Sequence, residues 1–483
     1  MEKIVIIGAG LGGLTAGALL AKQGYKVILL EQHAIVGGCA TIFKRKGGFT
    51  CEVGLHEMDG VYTNPIIKKV FETLDVYQHV EFIKPNEFFR VITNYGEFIM
   101  PDDKEEAKRV LQTRFPLENY AIDSYFKALE DVAKFYNKLG NLKWYDIFCF
   151  PFFISPLLKY KTKSVSDVLN ALTDNEELKL ILNANVQYYN DTPATLSFLL
   201  HAIAQNSYYE GGGWFIKGGS YNLSKYLASV ISENGGSVIT KADVIRATKE
   251  RVTYSYKKEE VTIEADKIIS NISPQDTYKL FDIEYVEKRE VAESIMTVYL
   301  GFSKNLKELY PHGVYSNFLL DALSCENDFS EMAKRDVTTK DFVFVDYSRI
   351  DSGLTTNEKS FGAVCVLDEM KNWDTLDEVA YEQKKECLIA HVLERLEKHY
   401  PHIKELVEYA EVATPKTMQR YVKTPNGTAY GYKPTPQQFF RIPKIKSNKV
   451  NNLYFVGQFV IAGGFSPAIS SGSMCFDKIV KGE

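Results

Sequence analysis

Lys3-Ile-Val-Ile-Ile-Gly8-Ala-Gly10-Leu11-Gly12-Gly13-Leu-Thr-Ala-Gly17 leads into Lys26-Val-Ile-Leu-Leu30 and closes on Glu31-Gln32. That order is a strand, a glycine turn, a helix, a second strand and an acid, the pattern of a dinucleotide-binding βαβ unit. Each part has a physical job. Gly8 permits the tight turn, Gly10 lets a pyrophosphate approach the backbone, and Gly13 allows close helix–strand packing. Leu11 and Gly12 open the helix, where unpaired N–H groups and the dipole favour phosphate. Glu31 falls about 20 residues beyond the glycines, where a carboxylate takes adenosine ribose hydroxyls, and Gln32 stands beside it.

A second glycine-rich stretch follows almost at once. Val36-Gly37-Gly38-Cys39-Ala40-Thr41 is succeeded by Gly47-Gly48-Phe-Thr-Cys51-Glu52-Val-Gly54-Leu55-His56. Glycine pairs let a second loop lie flat along an extended cofactor. An NAD domain has no need of that loop, whereas FAD spans further. In this arrangement the chain resembles the two-dinucleotide-binding-domain flavoproteins, and the expected cofactor is FAD. No other strand–Gly-x-Gly-x-x-Gly–helix pattern occurs, so no separate NAD(P)H domain is expected. Electrons then pass the flavin by another route: a quinone, oxygen, a diffusing reductant, or no net transfer.

Composition bounds the rest. With 483 residues, 45% apolar and 25% charged, the chain suits a globular protein of two domains. A net charge of −5 without a long basic stripe gives no reason to expect nucleic acid. Seven cysteines is an odd count without a Cys-x-x-Cys pair, which favours free thiols over a disulfide framework or a zinc site. The first strand begins at Lys3, so a cytoplasmic protein is expected. Thirty Tyr and 29 Phe suggest large apolar binding surfaces, although aromatic cores would also use them.

Cofactor-type signals come in three separated blocks. The first ends near His56. The second runs from Gly211-Gly-Gly-Trp214-Phe-Ile-Lys217-Gly-Gly-Ser220 through an apolar-periodic helix, Tyr221 to Glu233, a β-type run around Val244 and an alternating strand near Val261. It ends at Ala265-Asp-Lys-Ile-Ile-Ser-Asn271. The third is Leu453-Tyr-Phe-Val-Gly457-Gln458, then Gly463-Gly464-Phe-Ser-Pro467-Ala468-Ile469. The expected fold is α/β: a discontinuous Rossmann-like FAD-binding domain from 1–60, 206–274 and 411–483, and a mixed α/β substrate domain. The latter comprises 61–205, with a helical insertion, and 275–410.

These blocks together resemble the carotenoid desaturase, carotenoid isomerase and retinol saturase branch of the amine-oxidase-like flavoproteins, over nearly the whole chain. Phe115-Pro116-x-Glu118, leading into a helix ending near Tyr125-Phe126, and Thr414-Pro415-Lys-Thr417-Met-Gln-Arg420-Tyr421 belong to the same set. The resemblance implies roles at matching positions. Val244 would offer its backbone to adenine, and Gly37, Gly38 and Thr41 would follow the flavin side. Asn271, Gly457 and Gln458 would sit by the cofactor, the last two at the pyrophosphate. Pro467, Ala468 and Ile469 would approach the isoalloxazine at a helix N-terminus, whose positive end stabilises a reduced flavin. Three departures keep a specific reaction from being carried over. Gly-Gly-Cys-Ala-Thr lacks the arginine many relatives carry, Glu52 stands where aspartate is common, and the last glycine loop lacks Asp or Ser/Thr after its first glycine.

The flavin carries hydride, and the protein positions the carbon beneath N5. His56, Glu57, Lys217 and Tyr430 are the candidate catalytic residues, because their stretches approach the flavin. Lys217 is singled out since amine oxidases use a lysine near N5, and Cys39 is read as packing. No metal is expected. Residues 144–158, the most apolar segment, are flanked by lysines and interrupted by Pro151 and Pro156. They are too short to span a bilayer and read either as a peripheral membrane contact or as a buried wall. The function expected is saturation or desaturation of carbon–carbon double bonds in a long apolar polyene, such as a carotenoid or retinoid. The alternatives are cis–trans isomerisation with reduced FAD, a flavin amine oxidase, and a non-catalytic flavin-carrying lipid-binding protein. The sequence leaves the oligomeric state open.

Overall fold

The uncharged run Ile4-Val-Ile-Ile7 becomes the core of the central strand, Lys3–Ile7, of a five-stranded sheet. From edge to edge the sheet reads Leu453–Phe455, Lys267–Ser270, Lys3–Ile7, Lys26–Leu30 and Ser237–Ile239, with every pair parallel. Ile4, Val5 and Ile6 are wholly buried, as a parallel strand covered on both faces requires. The computed structural model describes residues 2–139, 154–189, 192–331, 339–356, 358–441 and 444–482.

Helix Leu11–Lys22 follows the glycine turn and is buried from Leu11 to Ala21. Helices Tyr221–Glu233 and Phe465–Lys481 flank it. Both contacts depend on absent side chains. A Cβ on Gly17 would fall 2.8 Å from Ile231 Cδ1, and one on Gly472 would fall 2.6 Å from the Gly12 carbonyl oxygen. The runs around Val244 and Val261 form a separate antiparallel sheet of Asp243–Ala247, Arg251–Tyr256 and Glu259–Glu264.

A larger sheet stands over the carboxyl ends of the parallel strands. Its order is Val407–Ala413, Ser294–Phe302, Ser360–Asp368, Phe342–Asp346, Ser316–Leu319, Phe89–Thr93 and Gly96–Met100. All pairs are antiparallel except Ser316–Leu319 with Phe89–Thr93. Period-two alternation splits its side chains between two faces. Met296, Val298, Leu300, Phe344 and Val364 pack with Leu388, Val392 and Leu396 of helix Glu378–Glu397. Ile295, Thr297, Val343 and Cys365 face the other way, into a cavity.

One local expectation changes. The helix after Phe115-Pro116 does not end near Tyr125-Phe126 but runs as Asn119–Leu139. Its apolar stripe continues past that point through Leu129, Val132 and Ala133, which are buried. Within 61–205 the hairpin Phe89–Thr93 and Gly96–Met100 completes the larger sheet. Of the apolar segment 144–158, residues 144–153 lie outside the described residues, and the remainder enters helix Ser155–Tyr160 with Leu158 exposed. Among the described residues, no helix is long and apolar enough to cross a membrane.

Since Gly472 presses on both Gly12 and Thr15, Gly472→Val should push helix Phe465–Lys481 off helix Leu11–Lys22. Overpacking of this kind costs about 1–3 kcal/mol. The urea midpoint of the apoprotein is expected to fall accordingly, with a smaller fall for Gly472→Ala. A midpoint equal to wild type would mean that the crossing can yield.

Candidate active site

The glycine turn is shaped by what lies directly against it. Gly8 has φ of +93° and donates its N–H to the Leu30 carbonyl at 2.8 Å, which seats the turn on the end of the neighbouring strand. Asn271, just beyond the strand Lys267–Ser270, accepts the Gly13 N–H on Oδ1 at 3.1 Å. A Cβ on Gly10 would lie 2.4 Å from Asn271 Nδ2, one on Gly12 would lie 2.6 Å from the Gly457 nitrogen, and one on Gly13 would lie 2.4 Å from the Gly8 carbonyl. Gly457 donates to Ser471 Oγ at 2.8 Å. The two glycine loops thus meet backbone to backbone at the N-termini of helices Leu11–Lys22 and Phe465–Lys481. Neither N-cap glycine supplies a side-chain cap, and although Asn271 takes the Gly13 N–H, the other first-turn N–H groups of both helices remain available to an anion.

The acid and the second loop complete a cradle. Glu31 is buried, accepting the Ala9 N–H on one oxygen at 2.8 Å and the His33 N–H on the other at 2.9 Å. Each oxygen keeps a lone pair for a hydroxyl. Gly37 donates to the Ala9 carbonyl at 2.8 Å, which lays the second loop along the first. Ser224 Oγ and Glu52 hold that loop from behind. Ser224 bonds the Ala40 carbonyl at 2.7 Å, while Glu52 accepts the Ser220 N–H at 2.7 Å and the Leu55 N–H at 3.0 Å.

A cavity of about 510 Å³ runs from this cradle to the inner face of the larger sheet. Among the residues expected at the cofactor, Gly8, Gly10, Leu11, Gly12, Glu31, Gln32, Gly37, Gly38, Val244, Asn271, Gly457, Gln458 and Ala468 line it. Gly13, Thr41, Pro467 and Ile469 do not. Gly13 packs helix on strand, Ile469 is wholly buried, and Thr41 lies behind the second loop with its Oγ1 buried and unpartnered. A Cβ on Gly38 or Gly464 would meet only one atom, at 3.5 and 3.6 Å, so both residues border open space in the cradle. These features fit an extended dinucleotide. Sequence reasoning missed part of its lining: Met418, Tyr421, Val422 and Lys423, in and just after helix Pro415–Val422, also border the cavity, and Lys423 bonds Asp243 beside Val244 at 3.0 Å. The Thr414–Thr417 capping box that starts this helix was the available signal.

At the far end the lining changes character. His56, Gln187, Tyr188, Ile295, Thr297, Val343, Cys365 and Tyr430 surround it, and none of these is Asp, Glu, Lys or Arg. Three tyrosines fix the segment that carries His56. Tyr347, Tyr315 and Tyr208 donate to the carbonyls of Leu55, His56 and Glu57 at 2.9, 2.8 and 3.5 Å. Because the Tyr347 hydrogen is committed to Leu55, His56 Nδ1–H donates to Tyr347 Oη at 2.9 Å. His56 Nε2 is then left to accept from the Cys365 thiol at 3.1 Å. Burial lowers the His56 pKa to about 4 and pushes the Cys365 thiol up to about 11, so both are neutral at pH 7. Tyr430 is likewise driven upward by burial.

The other expected catalytic residues are placed differently. Glu57 sits behind the chamber wall, with its Oε1 within hydrogen-bond distance of Ser316 Oγ at 3.1 Å. Lys217 is not part of the lining; its ammonium is turned outward to Asp351 at 2.6 Å and Glu81 at 3.3 Å. Cys39 lines the cradle, with its thiol pushed up to about 11 by desolvation, so it is a protonated packing group.

A parallel sheet with two uncapped helix ends, a ribose acid and a long cavity opening on a neutral chamber define an FAD-dependent enzyme. The chain belongs to the flavin containing amine oxidoreductase family, whose model matches residues 11–475. It is 27% identical to an all-trans-retinol 13,14-reductase of Danio rerio, across 98% of this chain and 84% of that protein. It is 26% identical to a chloroplastic prolycopene isomerase of Daucus carota, across 98% of this chain and 79% of that protein. In fold it is similar to cyclohexylamine oxidase of Brevibacterium oxydans IH-35A, with a TM-score of 0.64 at 16% identity over 100% and 99% of the two chains.

Gly10→Val should abolish flavin binding, because the new side chain must displace Asn271 from the meeting point of the two glycine loops. The check is flavin absorbance per protein after purification. A fully loaded variant would refute this assignment of the loop.

Proposed function

We propose that this enzyme reduces a carbon–carbon double bond in a long apolar polyene lipid of carotenoid or retinoid type. The observation that carries the reading is the chamber at the end of the cofactor cavity. Its walls are aliphatic, aromatic or neutral polar, and the one histidine among them is kept uncharged by burial. An apolar chain entering it leaves no ion unpaired, whereas an ammonium or carboxylate substrate would meet no counter-ion. The reductase and isomerase relatives, whose names concern retinol and prolycopene, support the same class of substrate.

When bound, FAD supplies hydride exchange at N5. This chain's own residues do the rest. The cradle fixes the cofactor through backbone N–H groups and Glu31, and the uncapped helix at Gly464–Phe465 offers its positive end to the electron-rich ring. Ile295, Val343 and the rings of Tyr188 and Tyr430 exclude water from the reacting bond. A cytoplasmic setting, with lipid collected at a membrane surface, belongs to the same proposal.

The test is anaerobic. Light or dithionite is expected to reduce the bound flavin fully, and NADPH only slowly and without saturation. Reduced enzyme mixed with a carotenoid and retinoid panel should yield a product two hydrogens heavier, one per flavin until reductant is resupplied. Continuous turnover without mass change would make the protein an isomerase. Reduction of the oxidised flavin by an amine panel, with hydrogen peroxide released once oxygen is admitted, would make it an amine oxidase. No turnover of either panel would leave a flavin-carrying lipid binder.

A further inference from the structure

Adding hydrogen across a double bond needs a proton as well as a hydride, and nothing above supplies one. We propose that Tyr188 hands that proton to the substrate and is recharged from Glu57 through the hydroxyl of Ser316. This rests on the reductive reading of the site.

The geometry is a three-group chain running from the chamber into the wall. Tyr188 lines the cavity, and its Oη lies 3.1 Å from Ser316 Oγ. Ser316 Oγ lies 3.1 Å from Glu57 Oε1, and Ser316 is itself almost wholly buried. The phenol ring is fixed by stacking on His56, with centroids 6.2 Å apart, and by an edge contact with Phe318 at 5.1 Å. Beyond Glu57, the Asp102–Lys84 ion pair reaches the protein surface, with side chains 25% and 40% exposed.

Such a chain has two directions. With Glu57 ionised, Ser316 donates to the carboxylate and Tyr188 donates to Ser316, which turns the phenolic hydrogen away from the chamber. With Glu57 protonated, the order reverses: Glu57 donates to Ser316, Ser316 donates to Tyr188, and the phenolic O–H is free to face the substrate. Burial holds Glu57 in the second state, raising its pKa to about 8, aided by the nearby Asp102 charge and opposed by the Ser316 hydrogen bond. The other titratable groups facing Glu57 are Tyr188, Tyr208 and Tyr315, all held neutral by burial.

The balance closes without another reactant beyond the hydride donor. A bound reduced flavin would supply the hydride to one alkene carbon, and the bond's electron pair is then left at its neighbour. That pair forms a C–H bond as the Tyr188 O–H bond breaks. The phenolate takes the Ser316 proton, Ser316 takes the Glu57 proton, and Glu57 is left as a carboxylate. The chain then points in its first direction until solvent reprotonates Glu57 beside Asp102. His56 takes no part, because its Nδ1–H is committed to Tyr347 and its Nε2 to Cys365.

The test compares full-length, flavin-loaded wild type with Tyr188→Phe and Glu57→Gln. In single turnover of photoreduced enzyme in D₂O, Tyr188→Phe should deliver solvent deuterium to the product about a hundredfold more slowly. Its photoreduction should be unchanged. The wild-type rate should be full at low pH and fall as pH rises through about 8, where Glu57 loses its proton; Glu57→Gln should be slower and lack this alkaline limb. A third readout needs no substrate: at pH 7 the wild type should show the infrared carbonyl stretch of a buried carboxylic acid, absent from Glu57→Gln. Wild-type speed in Tyr188→Phe, or no such band in wild type, overturns the relay. Failure of every polyene with the band intact overturns the function proposed above.

Discussion

The Asn271 carboxamide is the contact on which the cofactor site depends. It accepts the Gly13 N–H, lies against Gly10 and Gly12, and would strike a Cβ placed on Gly457 at 2.7 Å. Segments distant in sequence therefore converge on one planar amide, and each must be glycine to come near enough. The same crowding brings two helix N-termini to the edge of one cavity. Any side chain added there would separate the loops whose backbone N–H groups the cofactor needs.

Burial acts in one direction throughout the chamber: it removes charge. It raises Glu57, Cys365 and the tyrosines and lowers His56, so every titratable group near the reacting bond is neutral at pH 7. A neutral wall suits a hydrocarbon, yet it still holds protons that can be moved along hydroxyl chains. The tyrosine bonds to the Leu55, His56 and Glu57 carbonyls matter here, because they fix the backbone from which the histidine and the glutamate project.

What could be read in advance was local chemistry. The glycine turn, Glu31, the second loop and the helix Tyr221–Glu233 each announce themselves within a few residues, through special backbone conformations or a 3.6-residue period. The chamber does not. Tyr188 sits in a short 3-10 turn, Val186–Tyr189, without periodicity, and its partners Ser316 and Glu57 come from distant parts of the chain. Lys217 illustrates the converse. A glycine-rich neighbourhood suggested the flavin, but the side chain's direction was set by Asp351 and Glu81, which no local pattern reveals.

The broken order of the chain follows from the sheet. Parallel strands must be joined by crossovers that return to the same edge, so all five carboxyl ends point the same way. Ligands of such sheets bind outside those ends. The long excursions leave from there as well: one departs after Leu30 and returns at Ser237, and another departs after Ser270 and returns at Leu453. Together they build the larger sheet, whose strands come from 89–100, 294–368 and 407–413. That sheet borders the same cavity as the glycine loops, and period-two alternation then decides which side chains it lowers into the chamber. Ile295, Thr297, Val343 and Cys365 face the reacting bond because their neighbours Met296, Val298, Phe344 and Val364 are committed to the helix behind. A one-residue slip of any of these strands would exchange the two sets, so packing on the outer face fixes the chemistry of the inner one.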